Sequence, residues 1–199
     1  MRISVILAHP RAGSFNHALA RAASRRLIAN GHTVDFHDLH REKFDPIVRP
    51  GELSRRARLP AWLRRYCDEA ARADGFVIVH PNWWGQPPAV LKGWIDRVLR
   101  ADVAYRFIEG DDGEGVPVGL LKASAAVVLN TSNTPETRER AVFGDPLGAT
   151  WERCIFDLCG VHTVDRRMFG VVCTSTLRER RRWLREAEDL VSRRFGVVR

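Results

Sequence analysis

The chain has 199 residues, 45% hydrophobic and 28% charged, with a formal net charge of +8 at pH 7. That size fits one domain, 1–199, with a core that needs neither disulfides nor metal, and no apolar run reaches the ~18 residues that cross a bilayer. The basic residues, of which only Lys43, Lys92 and Lys122 are lysine, are interleaved with acids, and this pattern of solvated helix faces argues against nucleic-acid binding.

The N-terminus enters a strand directly, so no signal peptide is expected. Residues 2–8, RISVILA, are apolar almost throughout, as in a parallel strand covered on both faces. A turn with Pro10 and Gly13 follows, and Ser14 stands where a helix N-cap belongs, ahead of FNHALARAASRRLIANG with its stripe of Phe15, Leu19, Ala22, Ala23 and Leu27. Residues 32–39 alternate as a second strand, which completes a right-handed βαβ unit. A long polar connection, 40–60, leads to a helix over 61–73; a loop of that length serves a function or covers something. FVIVH (76–80) reads as a central strand, followed by two adjacent indoles bounded by Pro81, Gly85 and Pro87, and then by a helix from about 88 to 101. Residues 102–121 read as irregular, with an acidic turn at 109–115. SAAVVLN (124–130) is a fourth strand, ending in a polar loop. FGDPL (143–147) opens a helix through WERCIFDLCG, a fifth strand lies within 161–172, and an amphipathic helix over 176–195 closes the chain with Leu177, Trp183, Leu184, Ala187 and Val191 inward. Trp62, Trp94, Trp151 and Trp183 read as core. The four cysteines show no zinc spacing; Cys154 and Cys159 read as small core hydrophobes, and the set as reduced thiols of a cytoplasmic protein.

Five strands alternating with helices predict an α/β fold, an open parallel sheet covered on both sides. Ligands of such sheets bind beyond the carboxyl ends of the strands. Three loops lie there. The first, HPRAGSFN, lacks both dinucleotide and P-loop fingerprints but offers Gly13, Ser14, Asn16 and a helix N-terminus to an anion, with His9 and Arg11 beside them. The second presents Trp83 and Trp84, two side chains that cannot both follow the inward direction of a strand. The third, Asn130 to Asn133, supplies small polar groups. An anion cradle, an aromatic wall and a polar edge around one crevice describe a flavin site.

The segments ILAHPRAGSFNHAL (6–19), DLHREKFDPI (38–47), ADGFVIVHPNWWGQPPAVLKGWIDRVL (73–99), FGDPL (143–147) and the CG at 159–160 carry a specific likeness. In them the chain resembles the flavodoxin-like NAD(P)H:quinone oxidoreductases, the family of DT-diaphorase, modulators of drug activity and ancillary subunits of potassium-efflux systems. The resemblance covers most of the chain. It implies a flavodoxin-like three-layer sandwich with a five-stranded parallel sheet in order 2-1-3-4-5, a tightly bound flavin and a homodimer.

By the same resemblance, His9, Ser14, Phe15 and Asn16 hold the flavin phosphate and ribityl chain. Pro81, Asn82, Trp83, Trp84 and Gly85 flank the isoalloxazine, and Asn130, Thr131, Ser132 and Asn133 take the place of the ring-edge loop. FMN is favoured over FAD because the chain is shorter than the diaphorases. The implied activity is ping-pong hydride transfer from NAD(P)H to a quinone or similar acceptor. The alternative is a flavin-binding regulatory subunit of a cation-efflux system; a flavodoxin-type electron carrier fits poorly with a charge of +8. Two departures stand out. The ring-edge loop reads NTSN rather than TTGG, and the Tyr and His that diaphorases place after it are absent from TPETRERAVFGDPL, which leaves Arg138 or Arg140 to meet an anionic reduced flavin.

Overall fold

The computed structural model describes residues 1–54, 56–108 and 117–198, so the acidic turn at 109–115 lies outside the described residues. Five strands form one parallel sheet: β1 (Arg2–Leu7), β2 (Thr33–Asp38), β3 (Gly75–Pro81), β4 (Ala125–Thr131) and β5 (Val164–Phe169), in the order β2-β1-β3-β4-β5. This is the flavodoxin-like order. Every residue of β3 and β4 is buried, whereas one residue of β2 and two of β5, at the edges, are. The predicted central strand is therefore central, and its lack of polar residues before His80 reflects cover on both faces.

Alternation along the strands sorts the core into two layers. Val5, Val77, Val79 and Leu129 meet α1 (Phe15–Ala29) and the C-terminal helix α5 (Leu177–Phe195) through Leu19, Leu27, Trp183 and Val191. Ile6, Phe76, Ile78 and Val128 meet α2 (Ala61–Arg72), α3 (Ala89–Val98) and a helical segment through Leu63, Trp94, Trp151 and Phe156. That last segment starts as a turn at Pro146–Gly148 and continues as a π-helix, Ala149–Asp157. Between β4 and it lies the short α4 (Glu136–Phe143).

Several expectations need correction. Trp62 is 39% exposed; it lies at the start of α2 as a cover over Phe44, with the Arg97 guanidinium 4.8 Å from its ring. Leu177 is 65% exposed because the first turn of α5 precedes the helix's contact with the sheet. Cys159 is buried but Cys154 is exposed. Helix α3 ends at Val98, since Leu99 leaves the helical region at φ −83°, ψ 59°. Within 102–121, Tyr105–Arg106 and Val118–Gly119 form a small antiparallel ladder.

The long connection after β2 is fastened to α3. Arg97, 2% exposed, binds both Glu52 oxygens, through Nε at 2.9 Å and Nη2 at 2.5 Å, and its Nη1 donates to the Asp45 carbonyl. Gly93 allows the loop to lie this close: a Cβ there would come within 2.3 Å of Pro46. Removing one partner of a buried, hydrogen-bonded ion pair leaves the other charge uncompensated. Arg97→Met is therefore expected to cost roughly 3–5 kcal/mol in urea-unfolding stability.

At the end of β3, His80 is fully buried. Trp151 Nε1–H donates to its Nε2 at 2.9 Å, so the ring proton sits on Nδ1, which donates to the Pro81 carbonyl at 2.8 Å. Burial lowers the His80 pKa to about 4. The unfolded chain takes up this proton near pH 6.5 and the folded chain does not, so the stability from neutral His80 is full above pH 6.5 and lost as the pH falls toward 4. Acid melts of wild type should lose on the order of 3 kcal/mol across that window, and the slope should be shallower in His80→Gln.

Candidate functional site

The carboxyl ends of β1, β3 and β4 stand level in register, with Leu7 beside Val79 and Pro81 beside Thr131. The loops that leave them enclose a cleft of about 870 Å³.

On one side is the N-terminus of α1. Gly13, at φ +72°, turns the chain, and Ser14 caps the helix by accepting from the His17 N–H at 3.4 Å. The first N–H groups of α1 have no carbonyl within the helix to bond, and they carry the positive end of its dipole. Behind Ser14 runs a polar chain: Ser14 Oγ lies 2.8 Å from His17 Nδ1, and His17 Nε2 lies 3.1 Å from Asp38 Oδ2. Arg11, Gly13, Ser14 and Phe15 line the cleft.

Opposite is the tryptophan loop. Asn82 N–H extends the β3–β4 ladder to the Thr131 carbonyl, and Trp83 and Gln86 then exchange two backbone hydrogen bonds of 3.1 and 3.0 Å. Trp84 and Gly85 between them have φ of +57° and +70°, the two left-handed residues of a tight hairpin turn. A non-glycine residue in this region costs about 1–2 kcal/mol. Trp83 is 45% exposed and Trp84 fully exposed, so neither fills the core. Pro146 packs against Gly85, where a Cβ would approach it to 2.6 Å.

The third wall is the loop after β4. Thr131, Ser132 and Asn133 line the cleft. Ser132 Oγ accepts from the Thr134 N–H, and Asn133 Oδ1 accepts from the Cys173 N–H.

Three of the predicted site residues stand outside the lining. His9 lies behind the wall, its ring 6.3 Å from those of His17 and Trp83, and partial burial holds its pKa below the ordinary value. Asn16 is buried and ties α1 to Thr131 Oγ1 at 2.9 Å. Asn130 is fully buried and accepts from Arg166 at 3.2 Å. Among the described residues, Asn16 Oδ1 and Asn130 Nδ2 are buried without hydrogen-bond partners.

The sequence reading missed Glu139, Phe143 and Pro146 on the cleft's far side, and Val172, Cys173 and Arg180 next to α1. Arg180 donates to Ser175 Oγ and to the Val172 carbonyl one turn before Trp183, whose ring lies 5.7 Å from that of Phe15. Its run of arginines resembles a purely solvated face in sequence. Neither Arg138 nor Arg140 lines the cleft, and Arg140 pairs with Glu136 on the surface. The cleft is thus basic near α1, with Arg11 and Arg180, and carries the Glu139 carboxylate near the tryptophan loop. It suits an elongated ligand with an anionic end and a flat aromatic end.

The family model described as a flavodoxin-like fold matches residues 1–188. An uncharacterized NAD(P)H oxidoreductase of Haemophilus influenzae is 33% identical over 171 residues, which cover 83% of this chain and 82% of that protein. An FMN-dependent NADH:quinone oxidoreductase of Alcanivorax borkumensis is 35% identical over 92 residues, 45% of this chain and 46% of that protein. The crystal structure of Smu.1420 from Streptococcus mutans superposes with a TM-score of 0.83 at 27% identity, over 97% of this chain and all of that one.

Because Trp84 is exposed and held in left-handed backbone, Trp84→Asn should leave the melting temperature of the ligand-free protein unchanged or raise it slightly. A fall of several degrees would mean that the indole packs.

Proposed function

The chain belongs to the flavodoxin-like family that includes the NAD(P)H:quinone oxidoreductases, and from this premise we propose that its cleft binds FMN and that it passes reducing equivalents from NAD(P)H to a quinone or similar acceptor. It is an oxidoreductase. The observation that carries the reading is the pairing, across one cleft, of a helix N-terminus with two exposed indoles that nothing in the core requires.

The residues present fit the cofactor. The N–H groups opening α1, with Ser14, Arg11 and Arg180 around them, match a phosphate. Trp83, Trp84 and the backbone of Gly85 form a wall for a flat ring, and Thr131, Ser132 and Asn133 offer donors and acceptors to its polar edge. His9, Asn16 and Asn130 support these walls from behind. Bound FMN supplies the two-electron hydride chemistry. The protein's own work is to fix the ring's place, to exclude water from one side of it and to leave the other side open. Donor and acceptor use that open side in turn, which is a ping-pong order.

FMN is preferred to FAD because the Alcanivorax relative is FMN-dependent by name. We further take 1–199 as one flavodoxin-like unit that works as a homodimer. Trp83, Trp84, Val142 and Phe143 expose apolar surface at or next to the cleft mouth, and this favours cover by a second copy. Four unpaired cysteines accord with a reducing, cytoplasmic setting.

The first test is an absorbance spectrum of the purified protein with chromatography of the released cofactor. The expected result is FMN, and steady-state oxidation of NADPH by menadione with parallel double-reciprocal lines. A colourless protein that takes up neither FMN nor FAD would overturn the reading. Trp84→Ala should raise the FMN dissociation constant about tenfold, the loss of one aromatic contact.

A further inference from the structure

We propose that Glu139 is a positioning residue for the tryptophan loop, acting through Asn82, 57 residues away in sequence. Glu139 lies on the inner face of α4, 4% exposed, and lines the cleft. Its Oε1 accepts from Asn82 Nδ2 at 2.8 Å. Asn82 Oδ1 in turn accepts from the Gly85 N–H at 3.0 Å, inside the turn where Trp84 and Gly85 both have positive φ.

A carboxylate offers only acceptors, and a backbone N–H only donates. Asn82 stands between the two, so a single orientation of its amide satisfies both neighbours: nitrogen toward Glu139, oxygen toward Gly85. The flipped amide sets oxygen against oxygen and N–H against N–H. Glu139 therefore selects the orientation in which Asn82 can hold Gly85, and through it the left-handed backbone of Trp84. Without the carboxylate, no other hydrogen bond among the described residues fixes Asn82 Nδ2. The backbone pair of Trp83 and Gln86 remains, so the result is a loosened turn rather than an unfolded chain. Helix α4 thereby sets where the exposed indole stands. The bearing of this clamp on FMN rests on the function proposed above; the clamp itself does not.

The test is amide hydrogen exchange on the full-length protein, with and without FMN. Glu139→Ala should speed exchange at Gly85 by about tenfold, the loss of one structured hydrogen bond, while Val77 and Val79 in β3 keep wild-type rates. Asn82→Asp places two carboxylates face to face and should do the same. Asn82→Asp combined with Glu139→Gln exchanges donor for acceptor. It should restore protection at Gly85, because the new amide at position 139 donates to the new carboxylate at position 82, and that carboxylate still accepts from the Gly85 N–H. In titrations, Glu139→Ala should weaken FMN and riboflavin by the same factor, since the loop faces the ring and not the phosphate. Unchanged exchange at Gly85 in Glu139→Ala overturns the proposal. So does a double variant no better protected than Asn82→Asp, and this arm decides the matter even if Glu139→Ala fails to fold. A protein that binds no flavin overturns the function reading while leaving the exchange result intact.

Discussion

The structure depends first on how β3 ends. Buried on both faces and paired on both edges, it has no exposed side on which its last residues can turn away gradually. The break is made instead by a buried polar junction. His80, neutral and bonded to Trp151, closes the strand from beneath, and the Asn82 N–H takes the last rung of the ladder at 2.6 Å. A two-residue turn follows at once. Parallel pairing places the ends of β1 and β4 on either side of this point, so the helix N-terminus and the polar loop arrive beside the indoles by topology rather than by separate design. The cleft is what a parallel sheet leaves when its central strand stops sharply.

Around that point, polar groups are graded from supporting to exposed. Deep in the sheet edge, Arg166 holds Asn130 and also pairs with Asp145, whose side chain caps the turn that brings Pro146 against Gly85. One layer out, Asn16 bridges α1 to Thr131, and Glu139 fixes Asn82. At the surface stand the groups the cleft presents: indoles at one end, cations and helix N–H groups at the other. The supporting layers come from α1, α4 and β5, so the walls are registered to one another and not only to the sheet. Walls fixed in this way lower the cost of binding, because their ordering has already been met in folding.

Much of this was legible in the sequence. Apolar runs closing at His80 and at Asn130 gave the central strands, and Gly13 with Ser14 gave the start of α1, because each signal is local: period two, a cap, a turn. That the adjacent indoles are not both buried was legible because neighbours on a strand face opposite ways; that both are exposed comes from the turn beyond β3 that holds them. What stayed hidden is non-local. Glu139 sits in TRERAVF, where a charged residue on a short helix looks solvated, and only the docking of α4 beside the loop turns it inward. Arg180 is hidden in an arginine run whose members differ only in helical phase. The π-helix displaced Cys154 outward because it adds residues per turn that a 3.6 period does not anticipate. Trp62 is half-exposed because it packs over Phe44, a residue of the long connection that no helical period in α2 reveals.

The backbone at residue 84 allows one more step. A tight turn of this type is best served by asparagine or glycine at its first central position. The chain instead holds its most exposed indole there, in left-handed backbone, against local preference and against the hydrophobic effect. Where a sequence contradicts its own local rules, the compensation lies in packing or in function. Packing is excluded by full exposure. The neighbours are arranged to maintain the contradiction: Asn82 bonds Gly85, Glu139 orients Asn82, and Pro146 closes on Gly85, where a Cβ would approach it to 2.6 Å. Three separate segments thus converge on keeping one unfavourable residue in place, which is the expected pattern for a surface that binds a flat partner and not for one that merely turns a chain.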